Sequence, residues 1–138
     1  MEKFQILDVA GDAGIRAFGE SLPDLFVHAA LGMYRLMTNT ELLNEQKSMT
    51  VAIESHSLDG LLVAFLNELI FHFDVSGFIA KNIDIVDFSD NRIEARLSGQ
   101  EFNPEQHERG LLIKAATYHR LSIKKEHHIW EAEIVFDI

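Results

Sequence analysis

The chain closes on a strictly alternating stretch, Ile129–Ile138. Trp130, Ala132, Ile134, Phe136 and Ile138 fall on one side of an extended backbone; Ile129, Glu131, Glu133, Val135 and Asp137 fall on the other. A period of two describes a strand with one face in a core and the other toward water. Such a strand needs partners along its edges and a layer over its apolar face, which limits the rest of the chain to a sheet with something packed on it. The sequence stops at Ile138, so the α-carboxylate is expected one residue beyond the carboxylate of Asp137. Two like charges held by a strand favour a cation or a cluster of donors between them.

The covering layer is legible upstream. Leu22, Leu25, Phe26, Ala29, Ala30, Met33, Leu36 and Met37 recur at helical spacing behind Ser21 as N-cap and Pro23 in the first turn, with Thr38–Thr40 as the end. Leu58, Leu61, Leu62, Phe65, Leu66, Leu69, Ile70 and Phe73 repeat the pattern behind Ser57, and Asp74–Gly77 stops it. Strands are expected at Phe4–Leu7, Gly14–Gly19 and Ser48–Ser55, and as a hairpin of Ile83–Phe88 with Arg92–Leu97 across Ser89–Asn91. A short helical turn is expected at Asn103–Glu105. Residues 111–123 read as a short helix followed by a strand. The fold class is therefore α+β: a two-layer arrangement with two main amphipathic helices packed on a mostly antiparallel sheet, in a single domain spanning residues 1–138.

Charge narrows the function. Twenty-two acidic residues against twelve basic give a net charge of −10, the wrong sign for tight direct nucleic-acid binding. It suits solubility, cation attraction or docking to a basic partner. The absence of cysteine removes disulfides, thiolate metal sites and thiol nucleophiles. No apolar run is long enough to cross a bilayer, so the expectation is a cytoplasmic protein without a membrane partner.

Asp8 and Asp12 are expected in a Gly-containing turn, Asp8–Gly14, where turn chemistry alone is a sufficient reason for both. Beside Asp137 and the terminal carboxylate, Asp12 would complete an all-oxygen set suited to Ca²⁺ or Mg²⁺. Lys114 sits in an otherwise apolar run, so its ammonium should reach a carboxylate or water. His119 follows in the same run, as a satisfied histidine or a site residue. His127-His128 fall in the turn before the last strand, and His107 in a polar loop. No phosphate loop, nucleophile elbow or catalytic constellation is present, so the chain is not read as an enzyme.

Several blocks, in order, carry a resemblance: Asp8–Gly19, Ala29–Met33 with Leu36–Thr38, Leu61–Ile70, Ile113–Leu121 (I-K-A-A-T-Y-H-R-L), and the closing Trp130–Ile138. Together they resemble the archease family across nearly the whole chain, the Lys-Ala-Ala-Thr-Tyr-His block and the final Phe-Asp-Ile most specifically. The resemblance implies a non-catalytic cofactor of the GTP-dependent tRNA-splicing RNA ligase, promoting its guanylylation and multiple turnover. The alternative it implies is a chaperone-like modulator of an RNA-modifying enzyme such as a tRNA methyltransferase. It also implies a divalent cation site, with Ca²⁺ expected in vitro and Mg²⁺ or Mn²⁺ as further choices. By motif, that site would be Asp12, Asp137 and the carboxylate of Ile138, with Lys114 and His119 serving partner activation. The chain departs from the family's usual H-T-A-D-x-G-I: Val9 and Ala10 stand where His and Thr are usual, removing any hydrogen bonds those side chains supply to the site. Gln100 likewise stands where Glu is usual.

Overall fold

The computed structural model describes residues 2–138. In chain order the elements are β1 (Phe4–Val9), β2 (Asp12–Gly19), α1 (Leu22–Met37), β3 (Lys47–Glu54), α2 (Leu58–Ser76), β4 (Phe78–Ser89), β5 (Arg92–Glu101), β6 (Ala115–Ala116), β7 (Ser122–Glu126) and β8 (Ile129–Asp137), with a 3₁₀ turn at Thr40–Leu42. The architecture is α+β, as the periodicities imply, and every strand pairing is antiparallel. The strands divide between two sheets. One runs β1-β2-β8-β6, with β7 also on β8; the other runs β3-β5-β4.

Both helices begin where the caps direct. The Ser21 Oγ accepts the Asp24 N–H at 3.2 Å, and the Ser57 Oγ accepts the Gly60 N–H at 3.0 Å, each satisfying one of the free donors of a first turn. α2 ends at Gly77, whose φ of +73° is the left-handed cap that a Cβ would disfavour. α1 lies against β1, β2, β4 and β8, while α2 covers β3, β4, β5 and β6. Their apolar faces merge in one core holding Ile15, Phe26, Met33, Phe65, Ile93 and Phe136. Phe26 joins the layers, with ring centroids 6.2 Å from Phe65 and 5.0 Å from Phe88.

The structure revises several local expectations. The first hairpin turns on Ala10-Gly11 alone, because Val9 pairs with Asp12 and Asp8 with Ala13. Asp8 and Asp12 are therefore strand residues. The β4–β5 hairpin is longer than the alternation indicated and turns on Asp90-Asn91. No helix forms between Asn103 and Ile123. The short turn expected at Asn103–Glu105 does form, the Gln106 and His107 N–H groups closing on the Asn103 carbonyl, and residues 108–111 then run as a strap over the end of α1. Gly110 N–H donates to the Met37 carbonyl and Leu111 N–H to that of Leu36, at 2.8 and 2.9 Å; the Thr38 hydroxyl donates to the Glu108 carbonyl. Carbonyls that a helix end leaves free thus hold this segment extended. His107 lies in the expected polar loop but is buried, its Nδ1 accepting the Asn103 N–H at 2.9 Å. His127 and His128 do form the expected turn, both with positive φ.

Candidate functional site at the end of the closing strand

β8 is the interior strand that gathers the candidate residues. β2 pairs along one edge, Ala13 opposite Phe136 and Gly14 opposite Val135. The pairing ends there, and Asp12 and Asp137 are the next residue of each strand, in positions that continuing the register would set opposite one another. Facing residues on antiparallel strands project to the same side, with Cβ atoms about 5 Å apart. Along the other edge Ala115 pairs with Asp137, and the Lys114 N–H donates to the Asp137 carbonyl at 2.8 Å. Asp12, Asp137, Ile138 and Lys114 therefore lie at one end of one sheet, although the two aspartates are 125 positions apart in sequence; by the same register Lys114 stands opposite Ile138 and projects to the other face from Asp137. Asp12 is half-buried; Asp137, Ile138 and Lys114 are exposed.

None of Asp12, Asp137 and Lys114 forms an ion pair among the described residues, in contrast to the middle of the same sheet face. There Arg16 reaches Glu133 at 3.0 Å and Glu131 at 3.5 Å, Arg120 reaches Glu133 at 3.1 Å, and Lys124 reaches Glu131 at 3.4 Å. The carboxylates of β8 are compensated along the strand and left uncompensated at its end. The donors there are hard oxygens, the chemistry a divalent Ca²⁺ or Mg²⁺ takes. Among the described residues no three His, Cys, Asp or Glu side chains converge as a metal site. Two side-chain carboxylates are what the chain supplies at this point, so any cation held here must draw further oxygens from the main chain, from water or from a partner.

His119 stands apart from this row. After Thr117, whose N–H and hydroxyl both donate to the Val135 carbonyl, the chain leaves the edge of β8 and rejoins it at Ser122 opposite Glu133. His119 is exposed on that excursion, its N–H donating to the Thr117 Oγ1 at 3.2 Å. Asp8 pairs with Ala13, one step inward from Asp12, so it faces the opposite side of the sheet. Gln100 is buried, its Oε1 accepting the Asn44 N–H at 2.6 Å; its role is to hold the loop entering β3.

One residue of this region lies outside the motifs of chemical interest. Asn67, on α2, donates from Nδ2 to the Ala116 carbonyl at 3.2 Å and accepts the Ala116 N–H on Oδ1 at 2.8 Å. Its signal in the sequence is a carboxamide directly after Leu66 in the Leu61–Ile70 block, beside the apolar stripe of α2.

The fold and this strand end define a class: a small acidic α+β protein whose antiparallel sheet gathers uncompensated carboxylates at the end of its closing strand. The model of the Archease protein family (MTH1598/TM1083) matches residues 4–138, and the chain belongs to that family. A protein archease of Saccharolobus islandicus is 32% identical over the whole of both chains, and that of Sulfurisphaera tokodaii 29%, again over both whole chains. Among solved structures, the solution structure of Methanobacterium thermoautotrophicum protein 1598 superposes with a TM-score of 0.84 at 33% identity, covering all of both chains. The crystal structure of an archease from Thermotoga maritima, described as a possible chaperone, shares the fold: TM-score 0.69 at 17% identity, over 96% of this chain and 94% of that one.

Proposed function

We propose that this protein is a non-catalytic partner of a GTP-dependent RNA ligase in tRNA splicing or RNA repair, acting through the end of its closing strand. The observation that supports the reading is the β2–β8 register, which ends at Ala13 opposite Phe136 and leaves Asp12 and Asp137 as the next residue of each strand, neither in an ion pair among the described residues. In this reading Asp12, Asp137 and the carboxylate of Ile138 offer oxygens to a divalent cation, Ca²⁺ in vitro and Mg²⁺ or Mn²⁺ as further choices. Such an ion neutralises phosphate charge in nucleotidyl transfer. Lys114, tethered by its N–H to the Asp137 carbonyl, contacts a phosphate or a carboxylate of the partner. His119 presents an imidazole on the neighbouring exposed turn. The acidic charge of −10 favours a basic docking surface on the ligase and disfavours direct RNA binding. Val9 and Ala10 place no hydrogen-bonding side chain beside Asp12, so cation affinity rests on the carboxylates themselves.

The test is a multiple-turnover ligation assay with the ligase, GTP and excess RNA. Asp137→Ala and Lys114→Ala, each with wild-type circular dichroism and melting, are expected to lose most of the stimulation. Either variant stimulating as well as wild type sinks the site assignment. The second reading, a chaperone-like modulator of an RNA-modifying enzyme such as a tRNA methyltransferase, draws on the description of the Thermotoga maritima protein as a possible chaperone. It makes the opposite forecast: chelator and Asp12→Ala leave stabilisation of the partner unchanged.

A further inference from the structure

β6 is two residues long, and the thirteen residues before it, 102–114, carry no regular structure. On the β8 side it is held by a short ladder, the Lys114 N–H to the Asp137 carbonyl and the Thr117 N–H to the Val135 carbonyl. A ladder of that length is marginal, and slipping it by one residue would turn each side chain to the opposite face. Lys114 would then turn from the Ile138 face to the other face of the sheet.

On its other edge β6 has no strand neighbour. There the Ala116 N–H and C=O both point at α2, and the Asn67 carboxamide meets both. The amide thus does for Ala116 what an additional strand would do. It is also specific: the carboxamide carries one acceptor and one donor on adjacent atoms, matched to one residue's N–H and C=O. Ala115 presents its own groups to β8, so a slipped strand would offer Asn67 the wrong residue. Ala116 is buried, so losing the amide would leave two main-chain polar groups without partners in a covered position.

We infer that Asn67 is a positioning residue for partner activation: through the paired hydrogen bonds to Ala116 it sets the register that places Lys114 opposite Ile138 at the end of β8. The inference rests on the ligase-partner reading for what Lys114 does, and on the observed hydrogen bonds alone for what Asn67 does. Asn67→Asp separates the two. The carboxylate keeps an acceptor for the Ala116 N–H, but when ionised it faces the Ala116 carbonyl with a second oxygen instead of a donor. When protonated it again carries one donor and one acceptor.

The experiment measures amide hydrogen exchange of Lys114 and Ala116 by NMR at pH 7.5 and pH 4, alongside stimulation of the ligase at pH 7.5. Wild type is expected to protect both amides at both pH values. Asn67→Asp and Asn67→Ala should lose about tenfold or more in Lys114 protection at pH 7.5, on the scale of a hydrogen-bond pair. Asn67→Asp alone should regain it at pH 4. Stimulation should fall in both variants while amides in the α1 core stay protected. Undiminished Lys114 protection in Asn67→Ala overturns the inference, whatever the ligase does. Lost protection with full stimulation also overturns it, because the register would then not matter for activation. If wild type itself fails to stimulate, the ligase-partner reading falls, and the role in activation falls with it; the exchange arm still decides whether Asn67 holds the strand.

Discussion

Asp12→Asn gives the sharpest view of the strand end, because it moves stability in opposite directions with and without a cation. Continuing the β2–β8 register puts the two carboxylates on one sheet face with no neutralising side chain among the described residues. At a separation of about 5–6 Å, near the surface and at physiological salt, two such charges repel by roughly 0.5–1 kcal/mol. Removing one should therefore stabilise the metal-free protein by about that amount, which for a chain of this size raises Tm by about 2–4 °C. Calcium at ten times its Kd stabilises the wild type by about 1.4 kcal/mol, or about 5 °C, and the variant by much less, since a carboxamide oxygen carries no net charge. The order of the two melting curves in EDTA should reverse in calcium. The assay is calorimetry of both proteins, in EDTA and across a calcium titration at fixed ionic strength, with magnesium chloride as a second series. A variant that melts below wild type in EDTA and rises with calcium by the same increment would show that the two carboxylates neither repel nor share an ion. The reasoning from register would then be wrong.

Two further outcomes follow from the core. Tyr34 is fully buried, and its hydroxyl lies near the Ala80 backbone without a partner in hydrogen-bonding geometry. Tyr34→Phe should cost nothing or stabilise by about 1 kcal/mol in urea titration, and a loss above about 2 kcal/mol would mean that a bound water or a bond to Ala80 satisfies the oxygen. Burial pushes the Tyr34 phenol well above its ordinary 10, so folded and unfolded states are both protonated below that pH. As pH rises further the unfolded chain ionises first and stability falls, a decline that Tyr34→Phe should reduce. Gly99→Ala should destabilise by about 2–4 kcal/mol, since the added methyl would sit 2.0 Å from the Ile79 carbonyl oxygen across the β4–β5 ladder; a loss under about 0.5 kcal/mol in the same titration would show that the strands separate freely there.

The parts of the fold that were legible are those in which periodicity and local chemistry agree. Ser21 and Ser57 cap helices whose apolar stripes face the core, and β8 alternates as a half-buried strand must. Within Asn103–Ile123 the turn at Asn103 is local and legible, whereas the helix expected from Leu111 does not form because that stretch is held from outside. Its hydrogen bonds there go to Leu36, Asn67, Val135 and Asp137, none of which a local window contains. The burial of His107 within its loop is not legible for a similar reason: it depends on Phe102 and on a turn that closes in the folded chain. At the candidate site, Asp12, Asp137 and Lys114 could be named from their blocks. Asn67 could not, since a single carboxamide on a helix announces no partner.

Composition and pattern by themselves determined an acidic α+β chain with two capped helices and a closing strand that ends in negative charge. Those properties depend on side chains within a few residues of one another, where period, cap and turn act locally. Tertiary structure alone decided that the strands form two sheets, that β2 and β8 pair in the register that brings Asp12 and Asp137 to one strand end, and that Asn67 spans the free edge at Ala116. Strand register is a long-range quantity. The same alternation is compatible with many pairings, and the packing of buried faces selects one. The carboxylate pair exists only once β2 and β8 have met in that register.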